Sequence, residues 1–285
     1  MEAYVMDAFS AAVFGGNQAG VVFPDRALDD ALMRKIAGEF KHSETAFVEM
    51  LEDGSVRLRY FTPAEEVDLC GHATIAGFAL LRKLGRIGDG VHRAHTRAAD
   101  ISVSVQGDTV WMEMAPPVLL RELGEETWAE LYGAYGLTPA DRPDGFVPKI
   151  VSTGLADIMM PVKDHDTLLR AVQNDAAVTE LSRRYDVTGV HMFCPGDGTC
   201  TAWCSNFAPL YDITEECATG TSNGALTYYL YLQGLVQPEQ ENVFLQGEHM
   251  HRPSEIRSRL TVKDGAPGVL IGGRAVMSMA VDLRV

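Results

Sequence analysis

Two segments of this chain are apolar on nearly every side. Thr74 to Leu84 and Ala225 to Leu232 both read as helices, and each runs into a glycine, Gly85 and Gly234. A helix without a polar face cannot lie on a surface; in a chain of 285 residues the cover it needs is a curved or barrel-like sheet. The two helices are also introduced alike. Phe61-Thr62-Pro63 precedes Cys70-Gly71-His72-Ala73-Thr74, and Phe207-Ala208-Pro209 precedes Cys217-Ala218-Thr219-Gly220-Thr221, with an acidic stretch between turn and Cys in both (Glu65, Glu66, Asp68; Asp212, Glu215, Glu216). A repeat of that whole string implies two related α/β lobes, each a sheet around a central helix, with both helix N-termini and both Cys facing one cleft. The Pro116-Pro117 break divides them: residues 1–115, joined by 275–285, form the first lobe and 116–274 the second.

Shorter signals fill in the frame. Val5 to Phe9 and Val21 to Phe23 read as strands around a Gly-rich turn, and Asp29 and Asp30 cap a helix carrying Leu32, Ile36 and Phe40. Thr45 to Met50 and Val56 to Tyr60 form a hairpin, as do Ile101 to Val105 and Val110 to Met114. In the second lobe a helix covers Glu125 to Tyr135, strands cover Ile150 to Thr153 and Asp157 to Val162, and helices follow at Asp164 and Thr179 to Tyr185. Val187 to Phe193 then pairs with Cys200 to Phe207.

Charge excludes whole classes of function. Lys and Arg number 24 against 39 Asp and Glu, and a net charge of -15 repels phosphate backbones and anionic membranes. Neither nucleic acid nor membrane is an expected partner. The first residues, MEAYVMDAF, have no basic or apolar export signal, so a cytoplasmic protein with reduced thiols is expected.

The repeated Cys therefore poses a chemical question. A helix N-terminus offers unpaired backbone N–H groups and the positive end of a dipole, which suits a substrate carboxylate and lowers a nearby thiol pKa. Cys70 and Cys217 on opposite sides of a bound carbon could remove a proton from one face and return one to the other, as in a racemase or epimerase without cofactor. Other groupings carry less. Gly15-Gly16-Asn17-Gln18-Ala19-Gly20 lacks the spacing of a nucleotide loop and reads as a turn presenting Asn17. Cys194, Cys200 and Cys204 lack C-x-x-C spacing, so no metal is expected there. His249 and His251 suit a pocket or surface better than a metal pair. His42 either tunes Glu44 or ends a helix, and Glu65, Glu66 and Asp68 read as a solvated loop.

Taken in order, FGGNQAGVVF, SETAFV, LRYFTPAEEVDLCGHATIAG, FAPLYDITEECATGTSNGAL, QGEHMHRPS and VLIGGRAV resemble the signatures of the phenazine biosynthesis protein PhzF-like family, within the diaminopimelate epimerase-like superfamily. That resemblance implies an α/β fold of two pseudo-symmetric lobes, proton-transfer isomerase chemistry, no cofactor, a small carboxylate-bearing substrate and a homodimer. It assigns Glu44 as acid/base group and places Asn17, Gly71, His72, Ala73, Gly220, Thr221 and Ser222 in the substrate pocket. Cys217-Ala218 stands where phenazine-type members carry Asp-Pro, and Cys204-Ser205-Asn206 lacks their Arg. Three readings stay open: an epimerase or racemase using the Cys pair, a double-bond isomerase using Glu44, and a non-catalytic ligand-binding protein on the same fold.

Overall fold

The computed structural model describes all residues, Met1–Val285, and divides into two compact units: Met1–Glu113 with Gly272–Val285, and Met114–Ile271. In the first unit β1 (Glu2–Ala8) pairs antiparallel with β2 (Asn17–Phe23), Glu2 opposite Phe23, and with the C-terminal strand Ala275–Asp282. Helix α1 (Asp30–Phe40) follows, its N-terminus capped by the Asp29 side chain, which accepts from the Leu32 N–H. β3 (Thr45–Met50) then runs parallel to β2 and antiparallel to β4 (Val56–Phe61). The short β5 (Glu66–Val67) leads into α2 (Gly71–Lys83), after which β6 (Gly90–His95) adds parallel to β4 and is followed antiparallel by β7 (Asp100–Gln106) and β8 (Thr109–Glu113).

Helix α2 touches β1, β2, β3, β7, β8 and the C-terminal strand, strands from both ends of that order, so the sheet curls around it. His72 to Phe78, Leu80 and Leu81 are all buried. Helix α1 is amphipathic and packs Met33, Ile36 and Ala37 on the outer face against Val22, Phe47 and Phe61.

The second unit repeats the pattern. β9 (Val118–Glu122), β10 (Lys149–Ser152) and β11 (Ala156–Pro161) are antiparallel neighbours; β12 (Gly189–Pro195) runs parallel to β11, β13 (Ala202–Ala208) antiparallel to β12, and β15 (Glu241–Gln246) parallel to β13. β14 (Ile213–Glu216) is a short side pairing on β13, as β5 is on β4, and it leads into α6 (Gly220–Leu232). β16 (Ser254–Lys263) and β17 (Ala266–Gly273) complete the unit. Helices α3 (Glu125–Gly133), α4 (His165–Leu169) and α5 (Asp175–Tyr185) cover the outer face, where Leu131, Leu168 and Leu181 meet Ile158, Val190 and Met192. The succession of antiparallel, antiparallel, parallel, antiparallel, parallel and antiparallel pairings is the same in both units.

The two central helices match down to their ends. Neither N-cap, Cys70 or Thr219, caps its helix with a side chain. Both C-termini close alike: Arg86 N–H to Leu81 C=O across Gly85, and Leu235 N–H to Leu230 C=O across Gly234, with both glycines in the left-handed region. Both helices begin earlier than their apolar runs suggest. Gly71 and Gly220 occupy the first turn, where the N–H has no intrahelical partner. β6, β9 and β15 to β17 carry no clear apolar alternation and become strands through their neighbours; β16, for example, alternates Ser, Ile, Ser and Leu inward. No helix is long and apolar enough to cross a membrane.

Candidate active site

In the first unit three elements bring three reactive side chains together. Glu44 precedes β3, and its carbonyl accepts from the Gly20 N–H of β2 at 3.3 Å, which fixes its backbone beside that strand. Cys70 is the N-cap of α2 and His72 its second residue. Thr74 Oγ1 donates back to the Cys70 carbonyl at 2.7 Å and pairs with the Tyr60 hydroxyl at 2.6 Å, so the turn that carries Cys70 is tied into the helix and to β4. Cys70 Sγ lies 3.5 Å from His72 Nδ1, and Glu44 Oε2 lies 3.3 Å from His72 Nε2. Donor atoms of all three lie within 4.8 Å of one another.

The electrostatics follow from burial. His72 is buried, and desolvation pushes its pKa below the usual imidazole value despite the Glu44 carboxylate beside it, so the ring is neutral at pH 7. Glu44 keeps 21% of its side chain exposed, yet its Oε2 is buried and accepts no hydrogen bond, because the approach to His72 has ion-pair distance without hydrogen-bond alignment. No protein donor occupies that oxygen, which leaves its lone pairs open to a bound molecule. Gly71 and the buried His72 and Ala73 form the uncapped first turn of α2, whose N–H groups can receive a carboxylate. Asn17 is buried at the start of β2, beyond a turn tied by the Phe14 N–H to Asp7 Oδ2 at 2.8 Å.

In the second unit Cys217 precedes the uncapped α6 N-terminus formed by Gly220, Thr221 and Ser222. The lowered thiol pKa expected there does not hold. Burial, reinforced by the Glu216 carboxylate, pushes Cys217 up to about 11, although the Arg252 guanidinium hydrogen-bonds to the thiol and pulls the other way. Gly247 packs so close that a Cβ there would sit 3.1 Å from Cys217 Cβ and 2.3 Å from the Arg252 carbonyl, so only glycine lets this loop cover the thiol. Ser222 Oγ donates to the buried Asp157 at 2.6 Å, and Thr153 holds the Thr221 carbonyl at 2.8 Å. Gln246 accepts from Asn223 Nδ2 at 2.8 Å and donates to the Glu216 carbonyl at 2.7 Å, which braces the Cys217 turn from both ends.

One expectation changes. Glu66 is not solvated: Arg59 grips it bidentately at 2.7 and 2.8 Å. His249 binds Glu215 at 3.3 Å and the Leu169 carbonyl at 3.0 Å, while His251 is exposed. Cys194, Cys200 and Cys204 are free buried thiols. The sequence does not single out Asp157, Gln246 and Arg252, because they sit on strands or loops remote in the chain from the Cys217–Ser222 segment they contact; Gln246 and Arg252 lie in the QGEHMHRPS string.

The polar brace carries a pH prediction. His191 is buried on β12, and its Nδ1 pairs with Asn206 Oδ1 at 3.0 Å; desolvation lowers its pKa to about 4, below the unfolded value near 6.5. The unfolded chain then binds the extra proton first, so this residue's contribution is present above pH 6.5 and is lost as pH falls towards 4, by about 3 kcal/mol. Asp157, raised to about 6 by burial, acts oppositely as its stabilising protonated form builds up between pH 6 and 4. Urea unfolding of wild type and His191→Gln at pH 7.5 and 4.5 isolates the first effect: the gap between them should narrow at the lower pH, and a constant gap would contradict it.

The profile of the phenazine biosynthesis-like proteins matches residues 6–281. The uncharacterised isomerase YddE of Escherichia coli (strain K12) is 32% identical over 97% of this chain and 96% of its own. The crystal structure of a PhzF-family phenazine biosynthesis protein from Bacillus anthracis superposes with a TM-score of 0.90 at 25% identity, covering 100% of this chain and 99% of that one. A hydroxyproline epimerase from Agrobacterium vitis, solved with bound trans-4-hydroxy-L-proline, shares the fold at a TM-score of 0.63 and 14% identity, over 99% of this chain and 90% of that one. The fold is thus of the diaminopimelate epimerase type.

Proposed function

This chain belongs to the phenazine biosynthesis-like (PhzC-PhzF) family and is an isomerase, and we propose that it moves a proton within a small carboxylate-bearing metabolite without a cofactor, using Glu44 as the principal acid/base. The observation that carries this reading is the Glu44–His72–Cys70 cluster, in which Glu44 Oε2 is buried without a hydrogen bond beside the uncapped end of α2. In this reading the first-turn N–H groups of α2 hold the substrate carboxylate. Glu44 removes a proton from a nearby carbon, and the electron pair delocalises into the adjoining unsaturation. The protonated Glu44 then returns the proton to a different carbon, so the substrate's composition is conserved. Neutral His72 lies against the Glu44 carboxylate, with Nε2 3.3 Å from Oε2, and Cys70 faces the ring's other nitrogen at 3.5 Å.

A second reading, inversion of a stereocentre by two groups, is favoured by the duplicated Cys. Cys217 precedes α6 as Cys70 precedes α2, and burial keeps its thiol protonated, which suits a proton donor. Cys217→Ser separates the readings, because a serine hydroxyl is a far weaker acid. A Glu44-only shift predicts isomerisation within about tenfold of wild type, since no interaction made only in the transition state is lost. Two-group inversion predicts loss of racemisation on the scale of general acid catalysis, about 10²-fold or more, with solvent deuterium still entering one enantiomer.

A further inference from the structure

Neither central helix caps its first turn with an N-cap side chain, yet both N-cap carbonyls are held from inside the helix. The Cys70 carbonyl accepts from the Thr74 N–H at 3.0 Å and from Thr74 Oγ1 at 2.7 Å; the Thr219 carbonyl accepts from the Asn223 N–H at 3.2 Å and from Asn223 Nδ2 at 2.9 Å. Each donor stands four residues beyond its N-cap, and a strand residue braces it: the Tyr60 hydroxyl of β4 lies 2.6 Å from Thr74 Oγ1, and Gln246 of β15 accepts from Asn223 at 2.8 Å. Back-bonding of this kind slightly destabilises a helix in general. Its recurrence at two uncapped ends, each opening on a glycine, therefore points to a use other than stability.

The use lies in the peptide plane. The Cys70 carbonyl and the Gly71 N–H belong to one rigid unit and point in opposite directions, so whatever fixes the oxygen aims the N–H, the first of the unpaired donors of α2. The hydrogens run one way along this path. Thr74 spends its only hydroxyl hydrogen on the carbonyl, so Tyr60 donates to Thr74. Tyr60 O–H, Thr74 O–H and the Cys70–Gly71 peptide thus form a head-to-tail chain that ends on the Gly71 N–H, and each bond polarises the next. We propose that Tyr60 and Thr74 are positioning residues, which aim the Gly71 N–H at the substrate carboxylate. This role rests on the reading of the α2 first turn as the carboxylate receiver. Both side chains are fully buried, so water does not compete for the links and the two residues act through the peptide, not on the substrate. Burial also pushes the Tyr60 phenol well above its ordinary pKa, which keeps its hydrogen in place.

Acetate, a carboxylate with little else to bind, is the probe. Titrated into the intact nitrogen-15-labelled protein, it should shift the Gly71 amide proton downfield, measured against sodium chloride at equal ionic strength. Tyr60→Phe removes one link and should weaken acetate binding about five- to tenfold, the worth of one buried hydrogen bond. Thr74→Val removes both links and should weaken it further, whereas Thr74→Ser keeps the hydroxyl and should bind acetate as wild type does. Adding Tyr60→Phe to Thr74→Val should cost nothing more, because Tyr60 acts only through Thr74. Tyr132→Phe is the matched control: it deletes another buried phenol bond, to the Pro161 carbonyl at 2.5 Å in the second unit, and should lower the melting temperature without changing acetate binding. If Thr74→Val does not fold, Tyr60→Phe against Tyr132→Phe still decides the matter. Unchanged acetate binding in Tyr60→Phe, or additive losses in the double variant, would overturn the positioning role and leave the carboxylate reading of α2 standing. Absence of any Gly71 shift in wild type would overturn both.

Discussion

Replacing Glu44 by Gln should lower kcat/KM by about 10²–10⁴-fold while leaving KM within a few-fold of wild type. The amide preserves shape and the ion-pair distance to His72 but can no longer exchange a proton, so the loss falls on the chemical step. Glu44→Asp keeps the acid and shortens its reach; it should recover part of kcat, because a carboxylate displaced by about an ångström remains a base in poor geometry. Steady-state kinetics on the three proteins checks this. A raised KM with unchanged kcat in Glu44→Gln would make Glu44 a binding group only, and full activity would remove it from the site. The prediction needs no assumption about Cys217, since Glu44, Cys70 and His72 all belong to the first unit.

Phe78→Ala should destabilise the chain by about 3–5 kcal/mol, a large part of the 5–15 kcal/mol that holds a typical domain together. Phe78 is fully buried in α2, and the surrounding strands are themselves hydrogen-bonded, so they cannot collapse into the space left behind. Leu32→Ala on the outer helix α1 is the control: Leu32 is only partly buried against its cluster and should cost about 1 kcal/mol. Urea unfolding followed by tryptophan fluorescence measures both. Equal, small effects would mean that α2 lies on a surface, contrary to the enclosed helix described above.

How much of this was legible in the sequence depended on where the determining contacts lie. The enclosed helices could be read because an all-round apolar segment admits so few surroundings, and the repeat of F-x-P, acids and Cys tied them together. Cys70 and His72 are two residues apart, so one helix turn places them. Glu44 stands far from both in sequence; its place in the site came from the family resemblance, and the parallel pairing of β2 with β3 is what positions it. The Cys217 pKa went the other way because a helix end can be inferred from local sequence, whereas burial depends on the remote 247–252 loop. Glu66 illustrates the same limit, since Arg59 reaches it only after β4 and β5 pair.

The central claim is that this chain moves a proton on a small carboxylic acid through Glu44. Amino acids, hydroxy acids and unsaturated acids incubated in D2O with wild type and with Glu44→Gln, and followed by proton NMR, test it most directly. The account predicts that at least one acid loses a carbon-bound proton signal with wild type and keeps it with Glu44→Gln, at a rate difference of about 10²-fold or more. Exchange at the same rate in both proteins would contradict it.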